Sequence, residues 1–380
     1  YNAKLMALFA ANQIPEVFAD YAAGFGTFLL NSALADLTPF VQADKIDLAK
    51  TFDPSAITAL TRSGKLYGMP IGDDPQLLFY NQTLFEKAGV NLPPTDWSDK
   101  KWTLDVMLAA AKKLSHDVTD PRKGEWGIIF DAGQLGTRSW LWGVDPFNKT
   151  GGPEQTKGYE TGKITEVDYT NPKFVEAMQW IADLALKEKA SPHPSDVQAL
   201  QQGVGDAFMT GRIGMFAQGI WEFRSFRTAK VTWKWGMAPM PYGPTGINTD
   251  ELFNNAYFLG QGAKHPAEGY QFLKFLLLGN PTVDYVQTVG EWPARLDLYD
   301  QAIKAIAGLP GMTQTEEEIR QVVTGAFDHG FETPGKTIDR YVEFNNAWVQ
   351  TSAPIWTGQA SAADGLKQVQ AKMQTLVNGQ

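Results

Sequence analysis

Cysteine is absent from this chain of 380 residues. That excludes disulfides, thiol catalysis and thiolate metal sites, and it suits a protein that works outside the cytoplasm. Histidine is scarce: His116, His193, His265 and His329 stand far apart and show no metal-ligand spacing. We therefore expect neither a metal nor a cofactor. An excess of positive charge is missing too. The formal net charge of −9 argues against nucleic acid as a partner, because a phosphate backbone calls for a basic face. No apolar run approaches the length that spans a bilayer, and low-complexity tracts and internal repeats are lacking. Gly158, Gly162 and Lys163 have the wrong spacing for a phosphate loop.

What is present is enough chain for two ordinary domains and an aromatic content of 12%. The stretch at 64–90, GKLYGMPIGDDPQLLFYNQTLFEKAGV, organises the rest. Leu66, Tyr67 and Met69 predict a short strand that ends at Pro70. Asp73 and Asp74 then sit side by side in a polar, turn-prone segment. Leu77 to Tyr80 resume a strand, and a helical turn follows that stops at Gly89. Such a pattern suits a chain leaving one domain for another, or two neighbouring strands of one sheet with the aspartates as plain turn residues.

GKLYG-P, acidic residues and L-YN--LFEKAG together resemble the extracellular solute-binding proteins of ABC importers, in the sugar-binding branch that includes maltose-binding protein. The resemblance implies an α/β, two-lobed periplasmic-binding-protein type II fold with three interlobe crossings. These should lie near 71–77, within 254–260 and near 298–309. Lobe 1 would comprise 1–71 plus 256–303, and lobe 2 would comprise 78–253 plus 304–380. The chain opens inside an amphipathic helix carrying Leu5, Leu8 and Phe9. We therefore expect the strand and helix that start the family's fold, and a signal peptide, to be missing from its beginning.

Sugars present flat C–H faces and rings of hydroxyls, so their sites need aromatic faces beside amides and carboxylates. Asp20 and Tyr21 end a strand, where ligands of open α/β sheets gather; Asp20 is a ligand contact or a helix N-cap. Relatives carry a stacking Trp at the position of Asp20 and an acidic-basic pair at those of Ala23 and Gly24. Neither is kept here, which argues against maltose itself. After GEWGIIF at 124–130 comes a loop with Asp131, Gln134, Arg138, Trp140 and Trp142, whose indoles either stack on a ligand or pack beneath the loop. RIGMFAQGIW at 212–221 resembles the family's second signature, which implies a stacking Trp221 with Gly219 letting the backbone approach; the other reading is a core Trp at a helix start. WKWGMAPMP at 233–241 matches as well, with Trp233 and Trp235 read as structural. Asn254 and Asn255 are ligand contacts or turn formers. GEWPAR at 290–295 offers Glu291, Trp292 and Arg295 as acceptor, ring and donor, unless Arg295 only holds the loop by a salt bridge. Asn345 falls where relatives place a further stacking aromatic. Asp53-Pro54, Thr103 and Asn171-Pro172 predict helix starts, and 148–162 reads as an exposed excursion.

The resemblance implies a monomeric, extracytoplasmic receptor, periplasmic or lipid-anchored, that closes over a di- or oligosaccharide and hands it to ABC permease transmembrane subunits. No catalysis is expected. Hinge closure around a ligand is behaviour that periplasmic binding proteins exemplify. A non-sugar solute such as a polyol phosphate or polyamine is the alternative, although Arg138, Arg212, Arg224, Arg227 and Arg295 are too scattered to predict a phosphate site. A glycoside hydrolase would need two carboxylates across a cleft, such as Asp73 and Glu291.

Overall fold

The computed structural model describes residues 1–21, 24–120, 123–147, 162–201, 206–289 and 291–379. Ala23, Gly158, Gly290 and nearly all of the expected excursion at 148–162 lie outside the described residues.

The elements that position the site are, in order, α1 (Asn2–Ala10), β1 (Val17–Tyr21), α2 (Phe25–Leu30), β2 (Gly68–Asn81), β3 (Trp126–Ile129), α3 (Pro172–Leu186), β4 (Ile213–Gly219), α4 (Glu222–Ala229), β5 (Trp235–Ala238), β6 (Asp250–Leu259), α5 (Pro266–Leu278), β7 (Gly330–Glu332), α6 (Pro334–Thr337) and α7 (Tyr341–Trp356). The seven strands form one hydrogen-bonded path, β1-β6-β2-β4-β3, with β5 paired to β2 and β7 to β6. Of the pairs between these strands, β3–β4 and β6–β7 are parallel and the rest antiparallel. Local signals start and stop the helices as expected. Asp53 accepts from Ser55 N, Thr103 from Val106 N and Asn171 from Lys173 N, and Gly89 ends its helix at φ +63°.

Two separate clusters of buried apolar side chains hold the chain together. The first gathers Phe9, Phe18, Phe25, Phe28 and Phe258 from α1, β1, α2 and β6. Its rings meet at 5.4 Å and near 90° between Phe9 and Phe28, the edge-to-face geometry that aromatic quadrupoles favour. The second includes Leu77, Phe79, Phe216, Trp235 and Trp348. Trp235 stacks on Phe226 at 3.6 Å, as suits a structural ring. Later in the chain, Ala294 belongs to the first cluster and Leu298 to the second.

One strand bridges the clusters, and here the structure corrects the sequence-based reading. β2 does not end at Pro70, and Asp73-Asp74 is not a turn. It runs through 14 buried residues; Gly68–Pro75 pairs with β6, and Gln76–Tyr80 pairs with β4. The ladder slips between Pro70 and Gly72, a bulge that accommodates a residue without an N–H. Pro75 still lends its carbonyl to Ile220 N at 3.1 Å. Among the described residues, no helix is long and apolar enough to cross a membrane.

Candidate functional site

The β2–β6 ribbon between the two clusters carries most of the expected polar residues. Asp73 lies opposite Asn254, Asp74 opposite Phe253, and Gly72 opposite Asn255. Opposed residues of an antiparallel pair share a face, and successive residues alternate. Asp73 and Asn254 therefore occupy one face, while Asp74, Phe253 and Asn255 occupy the other.

The first face is sealed. Asp20, opposite Ala256, joins it two positions along from Asn254. Its Oδ2 accepts from Gly24 N at 2.9 Å and from Lys336 Nζ at 3.0 Å. Lys336 is brought in by α6, which docks on α2. Gly26 permits this, because a Cβ there would meet Ile338 O at 2.4 Å. Arg62 and Asp339 pair alongside at 3.5 Å. Glu332 Oε1 accepts from Asn254 N at 3.0 Å. Ser55 Oγ lies 2.6 Å from Asp53 Oδ1 and 2.8 Å from Asp73 Oδ2. One hydroxyl proton cannot serve both carboxylates, so this triad closes best with a protonated carboxyl. Burial, with Asp53 nearby, pushes Asp73 up to about 7, while the Ser55 hydrogen bond pulls the other way. Burial also drives Glu332 well above the usual carboxylate range, with Asp73 adding to it. Asp20 Oδ1, Asp73 Oδ1, Glu332 Oε2 and both side-chain polar atoms of Asn254 have no hydrogen-bond partner among the described residues.

The second face is more open. Asp74 accepts from Asn255 Nδ2 and from Trp292 N, each at 3.0 Å. Asn255 Nδ2 also lies 3.5 Å from Glu291 Oε2. Burial first, then Glu291, holds the Asp74 carboxyl well above its ordinary value. Trp221 meets Phe253 edge-on, with centroids 5.1 Å apart. The Trp221 ring fills the space a Cβ on Gly219 would take, 2.0 Å away, so that glycine makes room for the indole itself. Trp221 and Glu291 are only half-buried. Rings, an amide and carboxylates thus converge here.

The remaining expected residues are placed differently. The backbone of Tyr21 pairs with that of Asn255 in the β1–β6 ladder. Trp140 and Trp142, read as candidate stacking rings, are each 2% exposed and packed by protein. Trp140 meets Phe331 and donates to Asp145; Trp142 meets Trp180 and donates to Glu176. Trp292 is buried against Tyr299. Arg295 pairs with Asp297 at 2.6 Å and also donates to Leu277 O, so it holds its loop in place. Asp73 and Glu291, offered as an example of a glycosidase pair, reach opposite faces of the ribbon.

Sequence reasoning missed Glu251 and the partners that the loop residue Arg138 would take. Glu251 accepts from Thr137 and Thr333 at 2.8 and 2.9 Å, and burial, partly offset by Arg138, pushes it up to about 7. Arg138 hydrogen-bonds Gln76 and lies 5.0 Å from the centre of the Phe130 ring. The carboxylates around the crossing outnumber Lys336 and Arg138. Even so, no group of three or more His, Cys, Asp or Glu is placed to hold a metal among the described residues. A cavity of about 470 Å³ lies within the second cluster rather than at the crossing, lined by Phe130, Asp131, Asp206, Gln218 and Trp348 among others.

Residues 1–313 match the family model described as bacterial extracellular solute-binding protein. An arabinooligosaccharide-binding protein of Bacillus subtilis is 34% identical over 278 residues, 71% of this chain and 57% of that protein. A putative binding protein of Brucella abortus is 24% identical over 247 residues, 62% of this chain and 54% of its own length. The chain spans about half the length of these curated relatives. Among solved structures, an ABC substrate-binding protein from Listeria monocytogenes in complex with cycloalternan superposes with a TM-score of 0.80 at 22% identity. That match covers 100% of this chain and 89% of the other. It establishes the two-lobed α/β fold.

Proposed function

The chain belongs to the bacterial extracellular solute-binding proteins, and from that premise we propose that it is the receptor of an ABC importer, taking a di- or oligosaccharide between its lobes. The observation that carries this reading is the second face of the β2–β6 ribbon. There Trp221 and Phe253 stand beside Asp74, Asn255 and Glu291. Rings supply contact area at low entropic cost, and the amide and carboxylates satisfy hydroxyls that burial would otherwise strand. The names of relatives that bind arabinooligosaccharide and cycloalternan agree with that chemistry.

The receptor works by binding its guest better in the closed form, so the ligand shifts an open–closed equilibrium. Asp74 and Asn255 lie on a strand pair that connects the lobes, where ligand contacts and hinge geometry are coupled. The closed body is then read by permease transmembrane subunits. It acts outside the cytoplasm as a monomer, in the periplasm or tethered by a lipid, and performs no chemistry on its ligand. A thermal-shift screen of mono-, di- and oligosaccharides tests this, with native mass spectrometry for carried-over ligand. A stabilising, saturable saccharide supports the reading; response to none of them removes it. Sustained turnover of aryl-glycosides would instead make the protein an enzyme. One observation favours a second reading: the excess of buried carboxylate suits a polyamine, so spermidine belongs in the same screen.

A further inference from the structure

We propose that the sealed side of the crossing is a proton-loaded clasp: Asp73 and Glu332 take up protons as the two halves shut and give them up as the halves part. The clasp rests on the hinge-closing receptor proposed above, and it adds external pH to the guest as a second input that sets closure.

Polar contacts on this side join the two apolar clusters. Asp20 and Arg62 stand within two residues of Phe18 and Leu60 of the first cluster, while Lys336 and Asp339 lie on either side of Ile338 of the second. Lys336 Nζ reaches Asp20 at 3.0 Å. Arg62 meets Asp339 at 3.5 Å and the carbonyls of Lys336 and Thr337 at 3.4 Å. On the far flank, the Tyr299 hydroxyl donates to Asp53 Oδ2 at 3.0 Å. Tyr299 packs against the second cluster, and Asp53 adjoins Phe52 of the first.

Hydrogen-bond counting places the first proton. Asp53 is fully supplied as a carboxylate: Oδ1 accepts from Ser55 N at 3.0 Å and from the Ser55 hydroxyl at 2.6 Å, and Oδ2 accepts from Tyr299. The single hydroxyl proton of Ser55 is then committed, yet Asp73 Oδ2 lies 2.8 Å from the same Oγ. An ionised Asp73 would meet only lone pairs there, so the contact is a hydrogen bond when Asp73 is the donor. Asp73 Oδ1 has no partner among the described residues, and neither has Glu332 Oε2.

The groups that face Asp73 are Asp53 and Tyr299 on one side, Lys336 and Glu332 on the other, and Asp74 next in the chain. Glu332 also faces Glu251. Lys336 is the cation in this set, and Asp20 already holds it. With both acids ionised, closure would bury two further negative charges beside Asp20 and Asp53 against one ammonium. Low dielectric strengthens that repulsion, and parting the clusters lets water relieve it. Burial accordingly pushes Asp73 up to about 7 and Glu332 well above the carboxylate range. Acids raised in the closed form favour it fully below their ordinary values, and the preference disappears as pH rises through the closed-form value.

The chain has no cysteine, so Lys113→Cys and Lys264→Cys together accept a fluorophore pair. Both positions are exposed; one adjoins Leu114 of the second cluster, the other Ala263, which packs on the first. Energy transfer in the ligand-free protein then reads closure. We expect the closed-to-open ratio to fall about tenfold or more between roughly pH 5.5 and 8, with far-UV circular dichroism unchanged. Asp73→Asn, whose amide keeps a donor for Ser55 without a charge, should cut that fall to about threefold or less. Adding Glu332→Gln should remove most of the remainder, with Asp74 and Glu251 supplying what is left. Should Asp73→Asn fail to fold, Glu332→Gln alone must leave a shallower fall, since closure then takes up one proton fewer. A pH-independent wild type, or an unaltered fall in the folded variants, overturns the clasp. So does a change in transfer that accompanies loss of the helical signal, because that is unfolding. No arm of this test uses a saccharide: if the wild type binds none, the carbohydrate reading falls and energy transfer still decides the clasp.

Discussion

Asp73 and Asp74 are neighbours on one strand, yet they live in different chemistry. Asp73 faces a sealed compartment in which Asp20 and Lys336 are 1% and 0% exposed and the chain supplies its own cation. Asp74 faces the side where Trp221 and Glu291 remain half-exposed. Strand alternation alone separates them. The difference teaches that a pair of adjacent carboxylates need not act as a pair. One is enclosed with the chain's own cation, and the other lies, buried and hydrogen-bonded, on the face where we propose that a guest binds.

The largest effect should come from breaking the sealed side. Lys336→Met leaves the Asp20 carboxylate buried without its cation, and such a loss costs about 3–5 kcal/mol. Urea unfolding should show it as a lower midpoint. If stability is unchanged, the two faces are not energetically distinct. Next in size is Trp221→Ala on the open side. It should remove about 2 kcal/mol or more of ligand binding, as truncation of a central aromatic anchor does. The ligand-free melting temperature should stay nearly constant. A large loss of ligand-free stability would instead place Trp221 with the structural rings.

The comparison also has a pH signature. Asp73 is raised in the folded state to about 7 from an ordinary 3.8, chiefly by burial. A folded chain that holds this proton more tightly than the unfolded chain gains stability at low pH. That gain is complete below the ordinary value and disappears as pH rises through about 7. Glu251 and Glu222 are raised to about 7 by burial and act in the same direction. Asp73→Asn should therefore flatten, without abolishing, the fall in stability between roughly pH 4 and 7. Chemical denaturation across that window measures it; an unaltered slope would mean that Asp73 titrates normally.

Much of the scaffold was legible because its signals are local. The caps at Asp53, Thr103 and Asn171 and the stop at Gly89 each depend on a few consecutive residues. β2 was misread for the same reason: Pro70 is a local stop signal, whereas the bulge that tolerates it depends on β6, far along the chain. The sealed face was invisible. Lys336 and Asp20 are separated by 316 residues, and no periodicity announces such a pairing. FETPGKT reads simply as a polar turn. Trp140 and Trp142 stand in a loop rich in polar groups, which leaves stacking on a ligand and packing beneath the loop both open. Only the folded chain shows Phe331 and Trp180 covering them.

The smallest expected effect sharpens the comparison most, because it concerns two adjacent identical residues. Asn255 is engaged: its Nδ2 serves the Asp74 carboxyl at 3.0 Å. Asn254 is fully buried, yet neither its amide oxygen nor its nitrogen has a partner among the described residues. Removing a used partner strands the other group, at a cost of about 1–3 kcal/mol, while replacing a polar group that makes no bond loses nothing of that kind. Asn255→Leu should therefore destabilise by that amount. Asn254→Leu, close in volume, should fall within about 1 kcal/mol of wild type and on the stabilising side, since an unmet amide no longer has to be buried. Thermal and urea unfolding of the two single variants distinguish these outcomes. Equal destabilisation would show that Asn254 makes a contact as important as that of Asn255, and the division of the ribbon into a sealed and an open face would then need redrawing.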